Sequence, residues 1–171
     1  MPATAPALVV TSGSEGRTAL LGRAIGMALR SGDAVLISGE LGAGKTCMVR
    51  GMAEGTGSAT PARSPTFVLV NEYPGRIRLS HCDLYRVSGL DEVEELALEE
   101  RLRDGALVVE WPERGPSTLP GDALLIQIDV DTRSDGRTIV LTPRGESAGR
   151  LLSRAAAVFE MLDMAGPERT A

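Results

Sequence analysis

The sequence predicts a three-layer α/β domain built on a mixed parallel and antiparallel β-sheet. Two apolar runs, residues 34–38 and 106–110, have the length and composition of buried strands. Two further segments, residues 67–73 and 76–83, flank a Pro-Gly turn and predict a β-hairpin. Strands and helices alternate in the first half of the chain, so we expect parallel strands there and antiparallel strands toward the end.

The remaining elements follow from local patterns. Residues 8–11 predict a short edge strand, and Ser12 with Glu15 predicts a capping box that opens a helix. Further helices are predicted over 45–54, 89–105 and 147–163, and further strands over 123–130 and 137–142. We interpret residues 1–171 as one domain, with flexible ends over 1–7 and 166–171.

Composition narrows the classes of protein that the chain fits. Of 171 residues, 43% are hydrophobic, and the net charge of −5 argues against a dedicated nucleic-acid-binding domain. One histidine and two cysteines, Cys47 and Cys82, without a CxxC pair, argue against a zinc site. We find no signal-peptide pattern and no apolar run of about 18 residues. We therefore expect a cytoplasmic protein without a membrane segment.

A glycine-rich stretch carries the clearest chemistry. Residues 39–46, GELGAGKT, match G-x-x-x-x-G-K-[ST] at every defined position, between a predicted buried strand and a predicted helix. Glycines let successive N–H groups point at phosphate oxygens, and the helix start adds its positive end. Lys45 is expected to contact the β- and γ-phosphates, and the Thr46 hydroxyl to bind Mg²⁺. The stretch predicts a P-loop nucleoside triphosphatase (NTPase) fold.

Two acidic residues end predicted strands and are candidates for the metal and the attacking water. Glu110 ends the run 106–110, and Asp83 ends the second hairpin arm. We expect both strands to end on the side of the sheet where the glycine-rich loop lies. Either carboxylate is suited to hold Mg²⁺ or to orient water, and which one is catalytic stays open. Each is also compatible with a solvated charge at a strand end. Ser64-Pro65-Thr66 is interpreted either as a nucleotide-sensing switch or as an ordinary turn.

Three other features have a structural and a functional interpretation. His81, the single histidine, is more typical of a structural role than of catalysis. Trp111 fits either a contact with a nucleotide or partner, or a half-buried core position. The acidic helix 89–105 is most simply a solvated face, and the alternative is a docking surface for a basic partner.

Four short motifs in order resemble one family. They are GELGAGKT, SPTF, HCDLYR and EWPE, which begin at residues 39, 64, 81 and 110. With this order and spacing, the chain resembles the bacterial TsaE (YjeE) family over residues 10 to 150. The resemblance implies a P-loop fold that binds ATP and Mg²⁺ and hydrolyses ATP slowly by itself.

The resemblance also implies partners and a pathway. TsaB-like and TsaD-like subunits would transfer a threonylcarbamoyl group to the adenosine beside the anticodon of tRNAs that read codons starting with A. ATP hydrolysis would reset that complex between turnovers, and tRNA would be reached only through the complex. No membrane is implied.

Site residues are carried over by position. The resemblance implies that the phosphates are held by Leu41, Gly42, Ala43, Gly44, Lys45 and Thr46. It implies Thr46 and Glu110 as metal ligands, Glu113 as a further nucleotide contact, and Lys45, Asp83 and Glu110 as catalytic residues. Cys47 departs from the family pattern, in which threonine is common at that position.

Two alternatives stay open from the residues alone. A small-molecule kinase would need an arginine-bearing lid; Arg101 and Arg103 lie in a helix that is mainly acidic. The second alternative is a regulatory module that senses nucleotide and acts only by docking. A GTPase is disfavoured because the chain has no N-K-x-D sequence. No arginine finger is identifiable within the chain, so we expect a partner to supply the missing charge or to order the switch loop.

Overall fold

The computed structural model describes residues 7–65 and 69–166. These residues form a seven-stranded sheet and five α-helices. In chain order the elements are β1 Leu8–Ser12, α1 Glu15–Ala28, β2 Ala34–Gly39, α2 Lys45–Gly55, β3 Val70–Tyr73, β4 Arg78–Asp83, α3 Leu90–Glu94, α4 Leu98–Asp104, β5 Gly105–Glu110, β6 Ala123–Val130, β7 Arg137–Arg144 and α5 Glu146–Ala165.

The sheet is mixed, as predicted. Its strand order is β1-β7-β6-β2-β5-β4-β3. The four central strands, β6, β2, β5 and β4, pair in parallel, whereas β7 and β1 on one flank and β3 on the other are antiparallel. The predicted hairpin is confirmed for β3 and β4. The first residues of its predicted arm, 67–68, and Thr66 of the expected switch lie outside the described residues, as do 1–6 and 167–171.

Two apolar cores cover the two faces of the sheet. Along β2, Val35 and Ile37 join the core that contains α1, α2 and α5, while Ala34 and Leu36 join the core beneath α3 and α4. Successive strand residues point to opposite faces, so a strand that is covered on both sides reads as one continuous apolar run. This pattern produces the three layers that the sequence predicts.

Helices α1 and α2 cross with their backbones in contact. A Cβ atom built on Gly26 would lie 2.1 Å from the Met52 carbonyl oxygen, and one built on Gly51 would lie 2.1 Å from the Ala19 carbonyl oxygen. No side chain larger than hydrogen fits at either position without displacing main chain. The crossing therefore fixes α2, whose first turn follows the glycine-rich loop, against α1.

The prediction of one helix over 89–105 is wrong. The structure has two short helices, α3 and α4, separated at Ala97, which adopts the left-handed conformation with φ 50°. In one straight helix, Leu96 and Leu98 would point about 200° apart, because each residue advances about 100°. The break at Ala97 lets both leucines pack against the same apolar core.

The predicted capping box at Ser12 is also wrong. Ser14 caps α1, and its side chain accepts a hydrogen bond from the Arg17 N–H at 3.1 Å. Ser12 is extended because it still pairs with Arg137 as the last residue of β1, and its hydroxyl pairs with that of Thr18. Continued strand pairing therefore moves the helix start two residues along the chain.

The long C-terminal helix agrees with its prediction over 147–163. One side of α5 is buried, with Leu151, Leu152, Ala155 and Phe159 packed against the core of α1 and α2. Within residues 7–65 and 69–166, no helix combines the length and the apolar character that crossing a bilayer requires.

The α1–α2 crossing predicts a large effect of one methyl group. Gly26→Ala forces the two backbones apart and should lower the free energy of unfolding by about 1–3 kcal/mol, measured by urea denaturation. Gly16→Ala is the matched control, because a Cβ there meets only the Ser14 hydroxyl at 3.8 Å. Equal urea midpoints for Gly26→Ala and Gly16→Ala would contradict the close crossing.

Candidate functional site

The glycine-rich loop joins β2 to α2 and has the backbone of an anion cradle. Gly42 and Gly44 have φ values of 81° and 109°, which residues with a side chain rarely adopt. Gly44 precedes the first residue of α2, and no side chain caps that helix start. The N–H groups of the first helical turn have no partner within the helix, and residues 44–47 line a cleft. This arrangement suits a phosphate group.

The Lys45 ammonium is held against the same loop. Its Nζ donates to the carbonyl oxygens of Gly39 at 2.7 Å and Glu40 at 2.8 Å. It also lies 4.2 Å from the centroid of the Trp111 ring. Burial lowers the pKa of Lys45, and the nearby carboxylates of Glu110 and Asp83 act in the opposite direction. A buried ammonium held by neutral carbonyls gains energy from an anionic partner.

The two acids that the sequence singles out meet beside this loop. Asp83 and Glu110 are register partners at the carboxyl ends of the parallel strands β4 and β5. The Glu110 side chain is buried, and its Oε1 accepts from Thr46 Oγ1 at 3.2 Å and contacts His81 Nε2 at 2.8 Å. Asp83 accepts from Ser64 Oγ at 3.2 Å and from the Tyr85 N–H at 2.9 Å.

The cleft between these groups has a volume of about 540 Å³. This volume lies in the range of about 300–1,000 Å³ that is usual for small-molecule sites. Its lining balances three carboxylates against three cations: Glu15, Asp83 and Glu110 against Lys45, Arg50 and Arg86. No arginine finger is identifiable from the sequence, yet Arg50 and Arg86 line this cleft.

Three of the sequence-predicted site residues lie at the edge of the cleft or outside its lining, and one of them, Ala43, is fully buried. Leu41 lines the cleft but is largely exposed, with 76% of its surface accessible. Glu113 is not in the lining of the cleft; its Oε2 accepts from Ser38 Oγ at 3.4 Å in a separate hollow. That hollow also contains Trp111 and Gln127. Leu41 and Trp111 line both hollows, so Glu113 lies next to the cleft and not in its lining.

Arg137 is a candidate site residue that the sequence analysis missed. It starts β7, and its Nε donates to the Ala43 carbonyl oxygen of the glycine-rich loop at 2.7 Å. The Nε also lies 3.3 Å from the position of a Cβ built on Gly44. A position 94 residues from Ala43, outside any motif, gave no local signal. Its guanidinium adds positive charge beside the loop at Ala43 and Gly44.

The oxygens of Thr46 and Glu110 fit a magnesium ion. Mg²⁺ binds one or two protein oxygens and takes its remaining ligands from phosphate and water. Within the described part of the chain, no three His, Cys, Asp or Glu side chains are grouped as metal ligands. A hydroxyl and a carboxylate 3.2 Å apart at a phosphate cradle are the donor set that a phosphate-bound Mg²⁺ requires.

Comparisons with known proteins decide the family. The family model described as threonylcarbamoyl adenosine biosynthesis protein TsaE matches residues 12–139. The chain belongs to the TsaE family. The resemblance predicted from four motifs is thus confirmed, and the matched span contains every residue of the cleft and Arg137.

Individual TsaE proteins match over most of their length. The tRNA threonylcarbamoyladenosine biosynthesis protein TsaE of Streptomyces coelicolor is 44% identical over 74% of this chain and 90% of its own. The Haemophilus influenzae TsaE is 35% identical over 70% of this chain and 75% of its own. A crystal structure of Bacillus subtilis YdiB superposes with a TM-score of 0.68 at 28% identity, covering 94% of this chain and 96% of that one.

The contact between Lys45 and Trp111 predicts an optical signal. Trp111 is the only tryptophan of the chain, so its emission reports on this site. A triphosphate that draws Nζ off the ring should change the emission, measured by titration with inorganic tripolyphosphate. Lys45→Met should abolish the change. The account fails if tripolyphosphate changes the emission equally in both proteins.

Proposed function

We propose that this chain is an ATP-binding, Mg²⁺-dependent ATPase that serves the biosynthesis of threonylcarbamoyladenosine on tRNA. Membership of the TsaE family supports the pathway, because its relatives carry that name. The observation that carries the ATPase proposal is the pair of oxygens, Thr46 Oγ1 and Glu110 Oε1, 3.2 Å apart at the start of α2 beside Lys45.

The glycine-rich loop binds the triphosphate and orients it. Main-chain N–H groups at the start of α2 donate to phosphate oxygens, and Lys45 exchanges its two carbonyl partners for phosphate. Thr46 and Glu110 would hold Mg²⁺, which when bound would supply positive charge to the phosphate oxygens. Binding and charge neutralisation account for most of the catalysis expected of such a site.

The two acids have separable roles in this proposal. Glu110 is adjacent to Thr46 and fixed by His81, which suits a metal ligand. Asp83 lines the cleft, and one of its oxygens bonds the exposed Ser64 hydroxyl. When that hydroxyl moves away, the Asp83 oxygen is open to orient the attacking water.

The partners are protein subunits of the TsaB and TsaD kind, which carry out the transfer chemistry on tRNAs that read codons starting with A. ATP hydrolysis resets their complex between turnovers. The net charge of −5 supports contact with tRNA through these subunits instead of directly. The free cysteines Cys47 and Cys82 support a cytoplasmic location.

The experiment measures ATP turnover with and without purified TsaB- and TsaD-like partners. We expect slow hydrolysis by the lone chain and an increase of at least about tenfold with partners, because completing the charge around a phosphoryl group has large effects. Glu110→Ala should abolish the stimulated rate, whereas Glu160→Gln, an exposed acid on α5, should retain it. Fast turnover by the lone chain that partners leave unchanged would contradict the proposal.

The same assay separates the kinase alternative. A kinase transfers the γ-phosphate to a metabolite, so isotope from labelled ATP would not appear in inorganic phosphate. The structure gives no support to a lid on α4, because Arg101 is bonded to Glu72 at 2.6 Å and to the Leu96 carbonyl at 2.8 Å.

A further inference from the structure

A buried chain of hydrogen bonds leads from Glu110 to the main chain at Arg63. Glu110 Oε1 lies 2.8 Å from His81 Nε2, and His81 Nδ1 lies 3.3 Å from the Tyr73 hydroxyl. That hydroxyl accepts from the Arg63 N–H at 3.1 Å and lies 3.1 Å from the Arg63 carbonyl oxygen. The imidazole therefore has a partner on each nitrogen, one at the candidate metal site and one leading to a loop.

Because these side chains are buried, their hydrogen bonds determine how they are oriented. The exposed fractions of His81, Tyr73 and Glu110 are 0%, 3% and 2%. Water does not reach these groups to replace a lost partner, and a buried carboxylate without one is costly. The Glu110 carboxylate accepts only, so Nε2 carries the proton in its bond. The orientation of Glu110 is thus tied to that of the imidazole.

The loop end of the chain touches the second acid as well. Ser64, the residue after Arg63, donates to Asp83 Oδ2 at 3.2 Å. Asn71 Nδ2 donates to the Arg63 carbonyl oxygen at 3.1 Å, which adds a further link between β3 and the loop. Asp83 and Glu110 are consequently joined to one segment of the loop, Asp83 directly at Ser64 and Glu110 through His81 and Tyr73 at Arg63.

We infer that His81 is a positioning residue. Through Nε2 it orients Glu110 beside Thr46, and through Tyr73 it couples that orientation to the segment Arg63–Ser64. This inference rests on the proposed function for its kinetic consequence, but the coupling itself is a property of the free chain. His81 does not line the cleft, so it acts on the reaction only through Glu110.

The coupling has a kinetic signature. Loss of a residue that orients a metal ligand typically costs about 10–100-fold in activity or metal affinity. In the proposed site the loop amides and Lys45 would hold the nucleotide, and among the described residues the hydrogen bonds of His81 go to Tyr73 and Glu110 instead. Disturbing His81 should therefore lower kcat and raise the Mg²⁺ concentration needed for half-maximal rate, while ATP affinity without Mg²⁺ stays unchanged.

Three substitutions break this series of hydrogen bonds at different points. His81→Gln places an amide N–H where Nε2 donates to Glu110, but it removes Nδ1, which contacts the Tyr73 hydroxyl. His81→Leu removes both bonds, and Tyr73→Phe removes only the hydroxyl. Ser80→Ala is the control on the same strand, because its buried hydroxyl has no hydrogen-bond partner among the described residues.

Kinetics measure the bond to Glu110. We expect His81→Leu to lower kcat by about 10-fold or more and His81→Gln to restore most of it, with Ser80→Ala unchanged. Equal losses in His81→Gln and His81→Leu, or a normal kcat and Mg²⁺ requirement in His81→Leu, would overturn the positioning role.

Amide hydrogen exchange without nucleotide measures the link to the loop. The Arg63 N–H is bonded to the Tyr73 hydroxyl, so Tyr73→Phe should speed its exchange by about 10-fold or more. His81→Gln should also speed the exchange of the Arg63 N–H, because the Tyr73 hydroxyl loses its contact with His81 Nδ1. Ser80→Ala should leave this exchange unchanged. Unchanged exchange at Arg63 in His81→Gln would overturn the coupling even if the protein proves inactive toward ATP. Absent turnover in the wild type, with the expected exchange pattern, would instead contradict only the proposed function.

Discussion

The structure depends on one buried carboxylate. Glu110 ends β5, one of the four central strands, with 2% of its surface exposed, and two hydrogen bonds to its Oε1 compensate for burying it. An isolated buried charge would be destabilising by several kcal/mol. Thr46 and His81 therefore support the fold and the site at once: they stabilise the charge, and they hold it where a metal on a phosphate would need it.

The position of Thr46 is in turn set by helix packing. Thr46 lies in the first turn of α2, and α2 rests on α1 through glycines whose hydrogens meet opposing carbonyls. Such contacts leave no slack, because backbone atoms cannot adapt as side chains do. The helix crossing thus holds the loop and the Thr46 hydroxyl in place. The parallel central strands hold the Glu110 carboxylate in place.

The sequence predicted the features that depend on contiguous residues or on the way in which parallel strands align in a sheet. The glycine-rich loop is a contiguous motif, and Asp83 and Glu110 meet because parallel strands end at one edge. The break between α3 and α4 at Ala97 was not predicted, because packing against the sheet overrides the helical periodicity of the sequence there. The contact of Arg137 with Ala43 and the bond from His81 to Glu110 join residues that are distant in the chain. Arg137 lies outside the four motifs, and the motifs that contain His81 and Glu110 do not indicate that these two side chains meet. No spacing rule predicts which distant side chains meet.

The central claim is that Thr46 and Glu110 act together on a phosphate-bound Mg²⁺. A double-mutant cycle on ATP affinity, measured by calorimetry with and without Mg²⁺, tests it most directly. The account predicts that Thr46→Val and Glu110→Gln each remove most of the tightening by Mg²⁺, and that the double variant loses little more, because both act through one ion. Strictly additive losses, or a wild-type affinity that ignores Mg²⁺, would contradict it.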